Sequence, residues 1–451
     1  MRKAKITALF LAGILAASVC GCAKENNALT AYASDESFRF AAYISPPPAG
    51  IGEGSLASNE NHITVQDYRV MKDCGFNYTY SGYLRNEQDV KAALQVADEV
   101  GGIKYLVRDD PDLNAMLYDT SHTQNWEERK ANVARKWAQY AQYDSFGGAM
   151  AIDEPNANLF GNIRAVKDWY TQAFPDLEYN TNLLPSWASA AQLGSADYDT
   201  HVSQFMQTVA PTQISYDYYP FIDRNGKQAF FRSEYFSNLE TIAYAAKEAG
   251  VPFYVYLLTL KHLNYSEMTH YSDIAWQVYN AMTFGCRGAQ TFTYWTLMQE
   301  GQTGVVDGYG RPTACYYAIQ EVIKEVRAME HVFMNFRWQG SMAYVADEDR
   351  PNVQLSAMRR TLASTPRIAS YSSTEDIVIG TFNDADGADG FMVTNATLPA
   401  DRKTATVTLK FNNADRVEIY AKGRGFVRQL HKGKLTLNVG PGEGWFVIPR
   451  K

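Results

Sequence analysis

A chain of 451 residues is about three times a usual domain length, so one large domain with an appendage, or two to three smaller ones, is the expected organisation. With 46% hydrophobic and 20% charged residues it can bury a substantial core, which excludes disorder as its main state. The net charge of −7, more negative still if Arg2, Lys3 and Lys5 leave with a leader, argues against nucleic acid and anionic membrane surfaces as partners.

Residues 1–21 join a basic start to the apolar run Ile6–Val19, too short to span a bilayer, and read as a secretory signal. It ends in Val19-Cys20-Gly21-Cys22, which resembles a bacterial lipobox. The resemblance implies cleavage before Cys22, lipidation of its thiol, and an exported protein anchored at the bacterial cell surface or envelope, touching the membrane only through that lipid. Ordinary cleavage that leaves Cys22 a plain thiol is the alternative. Residues 22–36 then read as a flexible polar tether. Cys74, Cys286 and Cys315 fit no disulfide framework or zinc spacing, and the His residues show no paired ligand pattern, so neither metal nor cofactor is expected.

Short apolar or aromatic runs follow, each paired with a helical pattern. The predicted strands are 39–45, 77–82, 103–107, 149–153, 178–183, 213–218, 253–258 and 289–295. The predicted helices are 65–74, 87–100, 126–143, 163–174, 199–209, 233–248, 271–284 and 314–329, all with apolar residues at three- and four-residue spacing. Strand then helix, repeated eight times, predicts an α/β fold, a (β/α)8 TIM barrel over 37–338, with a doubly wound sheet as the alternative. From 339 to 451 the texture turns to period-two alternation broken by turn clusters such as Asn383-Asp384-Ala385-Asp386-Gly387, which predicts a C-terminal antiparallel β-sandwich.

Barrels of this kind carry their chemistry at the C-terminal ends of the strands. The fourth predicted strand ends in Ile152-Asp153-Glu154-Pro155. Adjacent carboxylates raise each other's pKa, so one can stay protonated near neutral pH as a general acid. A cap on the following helix is the plainer reading of the same residues. The aromatic share of 13% supplies flat rings that suit the apolar faces of sugars. Arg108, Asp109 and Asp110 after strand three, Asn182 and Trp187 on and beyond strand five, and Tyr218 and Tyr219 after strand six are the candidate sugar contacts.

Ile152-Asp153-Glu154-Pro155, the run Gly288-Ala289-Gln290-Thr291-Phe292-Thr293-Tyr294-Trp295, and Gly304–Thr313 leading into Tyr316-Tyr317-Ala318 together resemble secreted barrel glycoside hydrolases, with clan A, including the family 42 β-galactosidases, as the nearest general match. The resemblance implies cleavage of glycosidic bonds in an oligo- or polysaccharide, with Glu154 as acid/base and Trp295 as a sugar platform. Clan A enzymes take their nucleophile from a Glu ending the seventh strand, whereas here Val255-Tyr256-Leu257-Leu258-Thr259-Leu260-Lys261-His262 offers no carboxylate. The second acid is left open between Asp217 and Glu300. A third route is substrate assistance, similar to N-acetylhexosaminidases, in which Asp153 orients a 2-acetamido group and Tyr216 bonds its carbonyl. Alternation puts Asp217 and Tyr216 on opposite faces of one strand, so an inward Asp217 sends Tyr216 outward unless a bulge intervenes. A surface glycan-binding lipoprotein without turnover is the remaining alternative.

Overall fold

The computed structural model describes residues 28–50, 59–82, 84, 86–296, 302–347, 349 and 352–451. The leader, Cys22 and Glu300 lie outside them. Eight parallel strands close into a barrel in the order of the chain: Arg39–Tyr43, Tyr78–Tyr80, Lys104–Arg108, Phe146–Asp153, Glu178–Leu183, Ile214–Asp217, Phe253–Leu258 and Gly288–Phe292. The last pairs with the first, Arg39 against Gly288 through Tyr43 against Phe292.

Each crossover helix forms where the sequence supplies both an apolar stripe and a stop. The helix Val65–Cys74 starts on Thr64, whose side chain accepts from Asp67 N, and ends on Gly75 at φ 106°. It buries Tyr68, Met71 and Cys74 against the barrel. Among the short elements that the sequence periods miss are three around the barrel: the helix Pro111–Leu117 after strand three, the helix Ala190–Leu193 after strand five, and the hairpin Phe221–Asp223/Gln228–Phe230 after strand six. All three lie in loops that leave the C-terminal strand ends, and they build up the rim of the mouth.

Strand four is irregular twice. Its register against strand three skips Gly147, and the next residue, Gly148, has φ 124° and approaches Glu178 so closely that a Cβ there would sit 2.2 Å from the Glu178 carbonyl oxygen. Only glycine fits. Against strand five, Met150 pairs with Asn180 but Asp153 pairs with Asn182, leaving Ala151 as an extra residue. This bulge turns Asp153 to the inner face, where strict alternation from Met150 would have sent it outward.

The C-terminal module is a two-sheet sandwich. Strands Arg337–Tyr344, Ile377–Asn383, Asp389–Asn395, Gly444–Arg450, Arg416–Ala421 and Arg424–Gln429 form one sheet in that spatial order, and Ile368–Ser373, Ala405–Phe411 and Lys434–Val439 form the other. Ile377, Ile379, Phe391 and Val393 share one hydrophobic core with Val407, Leu409, Leu435 and Leu437. The module is fastened to the helix Tyr271–Thr283: the hydroxyls of Thr283 and Thr394 lie 2.6 Å apart, and Gly380 sits where a Cβ would come within 2.1 Å of the Thr283 carbonyl oxygen. The stretch expected to be a loose tether is seated on this module from Leu29 onward. Thr30 Oγ1 donates to Glu418 at 2.6 Å, and Arg450 donates to Tyr32 Oη at 2.7 Å. The reason is a buried glutamate, Glu418, whose oxygens need donors that Thr30 and Arg450 supply.

Candidate active site

The inner faces of four strands carry one continuous polar chain. Tyr80 donates to Gln290 Oε1, Gln290 Nε2 donates to Ser215 Oγ at 2.8 Å, and Ser215 Oγ donates to Asn182 Oδ1 at 2.8 Å. These bonds fix which way the Asn182 amide points. Its Nδ2 donates to Asp153 Oδ1 at 3.0 Å and to Asp217 Oδ1 at 3.3 Å. Asn182 is buried and its hydrogen bonds are spent on the acids, so it positions them; the expected sugar contact is corrected accordingly.

Glu154 completes the acid cluster. Its backbone adopts φ 48° and is held there by a 2.8 Å hydrogen bond from its N–H to the Asn182 carbonyl. That left-handed conformation is strained for a side chain of this size, and it projects the Glu154 carboxyl, exposed to solvent, over the mouth. There it hydrogen-bonds the Asp217 carboxyl. Asp217, only 7% exposed, is pushed well above the ordinary carboxylate range by burial first and then by the charges of Glu154 and Asp153. Burial and Asp153 also raise Glu154. Two carboxyls in contact share one proton, and the more buried Asp217 holds it more tightly.

Asp153 keeps a cation. Arg108 lies 3.5 Å from its Oδ2 and 3.0 Å from Asp109, with its guanidinium 5.2 Å from the Tyr43 ring. Burial still raises Asp153, and Arg108 opposes the shift. Asp110 belongs elsewhere: it caps the helix Pro111–Leu117 and forms a buried ion pair with Lys136. The seventh strand ends in Leu258, whose backbone N–H and C=O are both bonded by Gln277. No carboxylate stands there.

The aromatic surface differs from expectation. Trp295 is completely buried, its ring 4.6 Å from His62 and a bridge partner of Val306 behind it. It lies past the end of strand eight, where the inward alternation of Gln290 and Phe292 has stopped, and it serves as core, not as a sugar platform. The half-buried ring at the strand end is Phe292, which stacks on Tyr219 at 5.4 Å and on Tyr43 at 6.0 Å. Tyr219 faces the site, its hydroxyl raised by burial and then by Asp217 and Asp153. Tyr216 is a second correction. It is 1% exposed and lies among Tyr235, Tyr198 and Cys286 in the helix layer, since an inward Asp217 sends its neighbour outward. Tyr218 likewise leaves the mouth, toward Glu234. Trp187 is half-buried at the rim, 5.9 Å from Phe231 and 5.8 Å from the Arg232 guanidinium.

Two site residues escaped the sequence reading. Phe292 was within reach, because period two from Gln290 puts it inward. Tyr118, 56% exposed and raised by burial and then by Asp109 and Asp153, stands at the end of a short helix that has no period to detect.

No protein-family model matches the chain, and no curated protein matches it. Solved structures do. One described as a glycoside hydrolase aligns over 93% of this chain and 96% of its own at 10% identity, with a TM-score of 0.52. An α-amylase from Anoxybacillus aligns over 92% and 98% at 13% identity and TM-score 0.47. A GH30 endoxylanase from Clostridium papyrosolvens C71 aligns over 93% and 98% at 9% identity and TM-score 0.40. At such identities the likeness is one of fold, a barrel followed by a β module.

Proposed function

We propose that the protein is a glycoside hydrolase whose acid/base chemistry belongs to the Glu154–Asp217 carboxyl pair. The observation that carries this reading is that contact, made at the C-terminal mouth of the barrel, with Asp217 buried and raised and Asp153 held beside it by Arg108 and Asn182. A carboxylic acid kept protonated near neutral pH is what cleavage of an acetal needs.

Glu154 and Asp217 hydrogen-bond each other directly, whereas catalytic pairs act across a scissile bond, retaining pairs about 5 to 5.5 Å apart and inverting pairs about 6.5 to 9.5 Å. A sugar entering the mouth therefore has to part them. As positive charge develops beside Asp217, its proton passes across the contact to Glu154, the solvent-open member, which turns toward the leaving oxygen. Glu154 gives that proton to the glycosidic oxygen as the bond to the anomeric carbon breaks. Asp217, left ionised below, faces the positive charge that develops there, as nucleophile, base or electrostatic stabiliser. Asp153 adds a fixed negative charge that favours the same transition state. Phe292, backed by Tyr219, supplies a ring face for the sugar.

Export and a lipid anchor at Cys22 complete the reading and rest on the lipobox-like motif. Substrate assistance is not retained, because Tyr216 points away from the site. Glycan binding without turnover stays as the second reading, favoured by the seventh strand's lack of a carboxylate. A panel of aryl glycosides, 2-acetamido sugars included, followed by proton NMR of the first anomer released, tests the proposal. Release that falls in Glu154→Gln and Asp217→Asn supports it. Affinity for glycans with no release from any of them selects the binding reading.

A further inference from the structure

We infer that the outer edge of the β module is a docking face for an anionic phospholipid surface, and this rests on the reading of Cys22 as a lipid anchor. The strand Arg424–Gln429 is the edge of the six-stranded sheet. Along it Arg424, Phe426 and Arg428 share one face, with both guanidiniums over the Phe426 ring at 5.6 and 5.9 Å. Arg428 also donates to the Thr436 carbonyl at 2.9 Å, which ties the strand Lys434–Val439 to this edge, and there Lys434 pairs in register with Lys410. Between residues 404 and 434 the exposed charges are Lys410, Lys422, Arg424, Arg428, Lys432 and Lys434 against a single exposed acid, Asp415. Of the six cations only Lys422 has a carboxylate partner among the described residues, Glu443 at 2.7 Å. The chain's overall charge of −7 points away from a membrane; its distribution does not.

The path of the N-terminal segment chooses the occupant. Leu29 packs on Gly425 of this same edge strand, on the face opposite Arg424, Phe426 and Arg428, its Cδ1 2.9 Å from where a Cβ would stand. Cys22 is seven residues before Leu29, a reach of at most ~25 Å when fully extended. A lipid at Cys22 therefore holds the basic edge next to the bilayer. Each Lys or Arg near an anionic leaflet contributes attraction that fades within a Debye length. The anchor keeps the patch near the bilayer, and the patch sets which side of the protein lies down. A sugar polymer is the weaker fit: Arg424 and Arg428 lie over the Phe426 ring and Lys422 lies over Trp445 at 5.9 Å, so a pyranose competes with a cation at either ring.

The test uses the mature chain from residue 22 with Cys22→Ser, which retains every described residue and carries no lipid. Co-sedimentation with phosphatidylglycerol vesicles, phosphatidylcholine vesicles and a soluble polyanionic polysaccharide is compared for this chain, for Arg424→Gln/Arg428→Gln/Lys434→Gln, and for the control Arg69→Gln/Lys227→Gln/Lys324→Gln. Expected is salt-sensitive binding to the anionic vesicles only, lowered about 100-fold by the edge triple, about fivefold per charge, and unchanged in the control. Equal binding by both triples, equal binding to neutral vesicles, or binding to the polysaccharide without binding to vesicles overturns the inference. Mass spectrometry of the protein from its exporting host reads the anchor separately. An unmodified Cys22 with vesicle binding intact removes the anchor and leaves the surface standing.

Discussion

The carboxyl of Glu154 hydrogen-bonds the carboxyl of Asp217 across the mouth of the barrel. One belongs to a strained residue open to solvent and the other is buried on the next strand but one, so a single proton is shared between an exposed and a desolvated site. Glu154→Gln and Asp217→Asn are each expected to lower turnover of substrates with poor leaving groups by roughly 10² to 10⁴ while leaving circular dichroism unchanged. A full rate in either variant removes that residue from the mechanism.

Asp217 also costs stability. Its folded pKa is raised by burial and by Glu154 and Asp153, so above the ordinary carboxylate pKa the native state binds more protons than the unfolded chain, and stability falls as pH rises toward the folded value. Asp217→Asn removes that penalty. The variant should be inactive yet melt a few degrees higher than the parent at pH 7, with the two melting curves converging near pH 4. A lower Tm at pH 7 contradicts the assigned strain.

Among the described residues, Arg108 is the only cation in contact with Asp153. Its replacement by Met removes the charge that opposes the burial shift, so Asp153 stays protonated to higher pH. The acidic limb of kcat/KM should move upward, with loss of rate concentrated at low pH. A uniform loss at every pH would mean that Arg108 acts on the substrate instead.

Trp295 and Phe292 separate core from platform. Trp295→Ala empties a fully buried site and should destabilise by about 3–5 kcal/mol, read as a fall in Tm and denaturation midpoint. Phe292→Ala, at a half-buried ring beside Tyr219, should weaken glycan affinity with a much smaller change in Tm. The reverse pattern restores Trp295 as the platform.

Gly380 lies against the Thr283 carbonyl oxygen with no room for a Cβ. Gly380→Val should force the β module off the helix Tyr271–Thr283 and split thermal unfolding into two transitions. A single transition at the parent's Tm contradicts that picture of the seam.

The sequence by itself determined the elements: periods of two and of three to four residues are local, and the predicted barrel strands and crossover helices lie where the structure has them, to within a few residues. It also marked Asp153, Glu154 and Asp217, because strand ends in a barrel are where unpaired acids are tolerated. It could not see the short helix that raises Tyr118, which has too few residues to show a period. What only the tertiary structure decided is direction and proximity. The bulge at Ala151 turns Asp153 inward, closure of the sheet brings Glu154 onto Asp217, and Asn182 spends its amide between the two acids. Trp295 became core, and Tyr216 turned to the helices. A strand's alternation fixes which residues share a face; which face meets the axis, and what lies across from it, is set by packing between segments far apart in the chain.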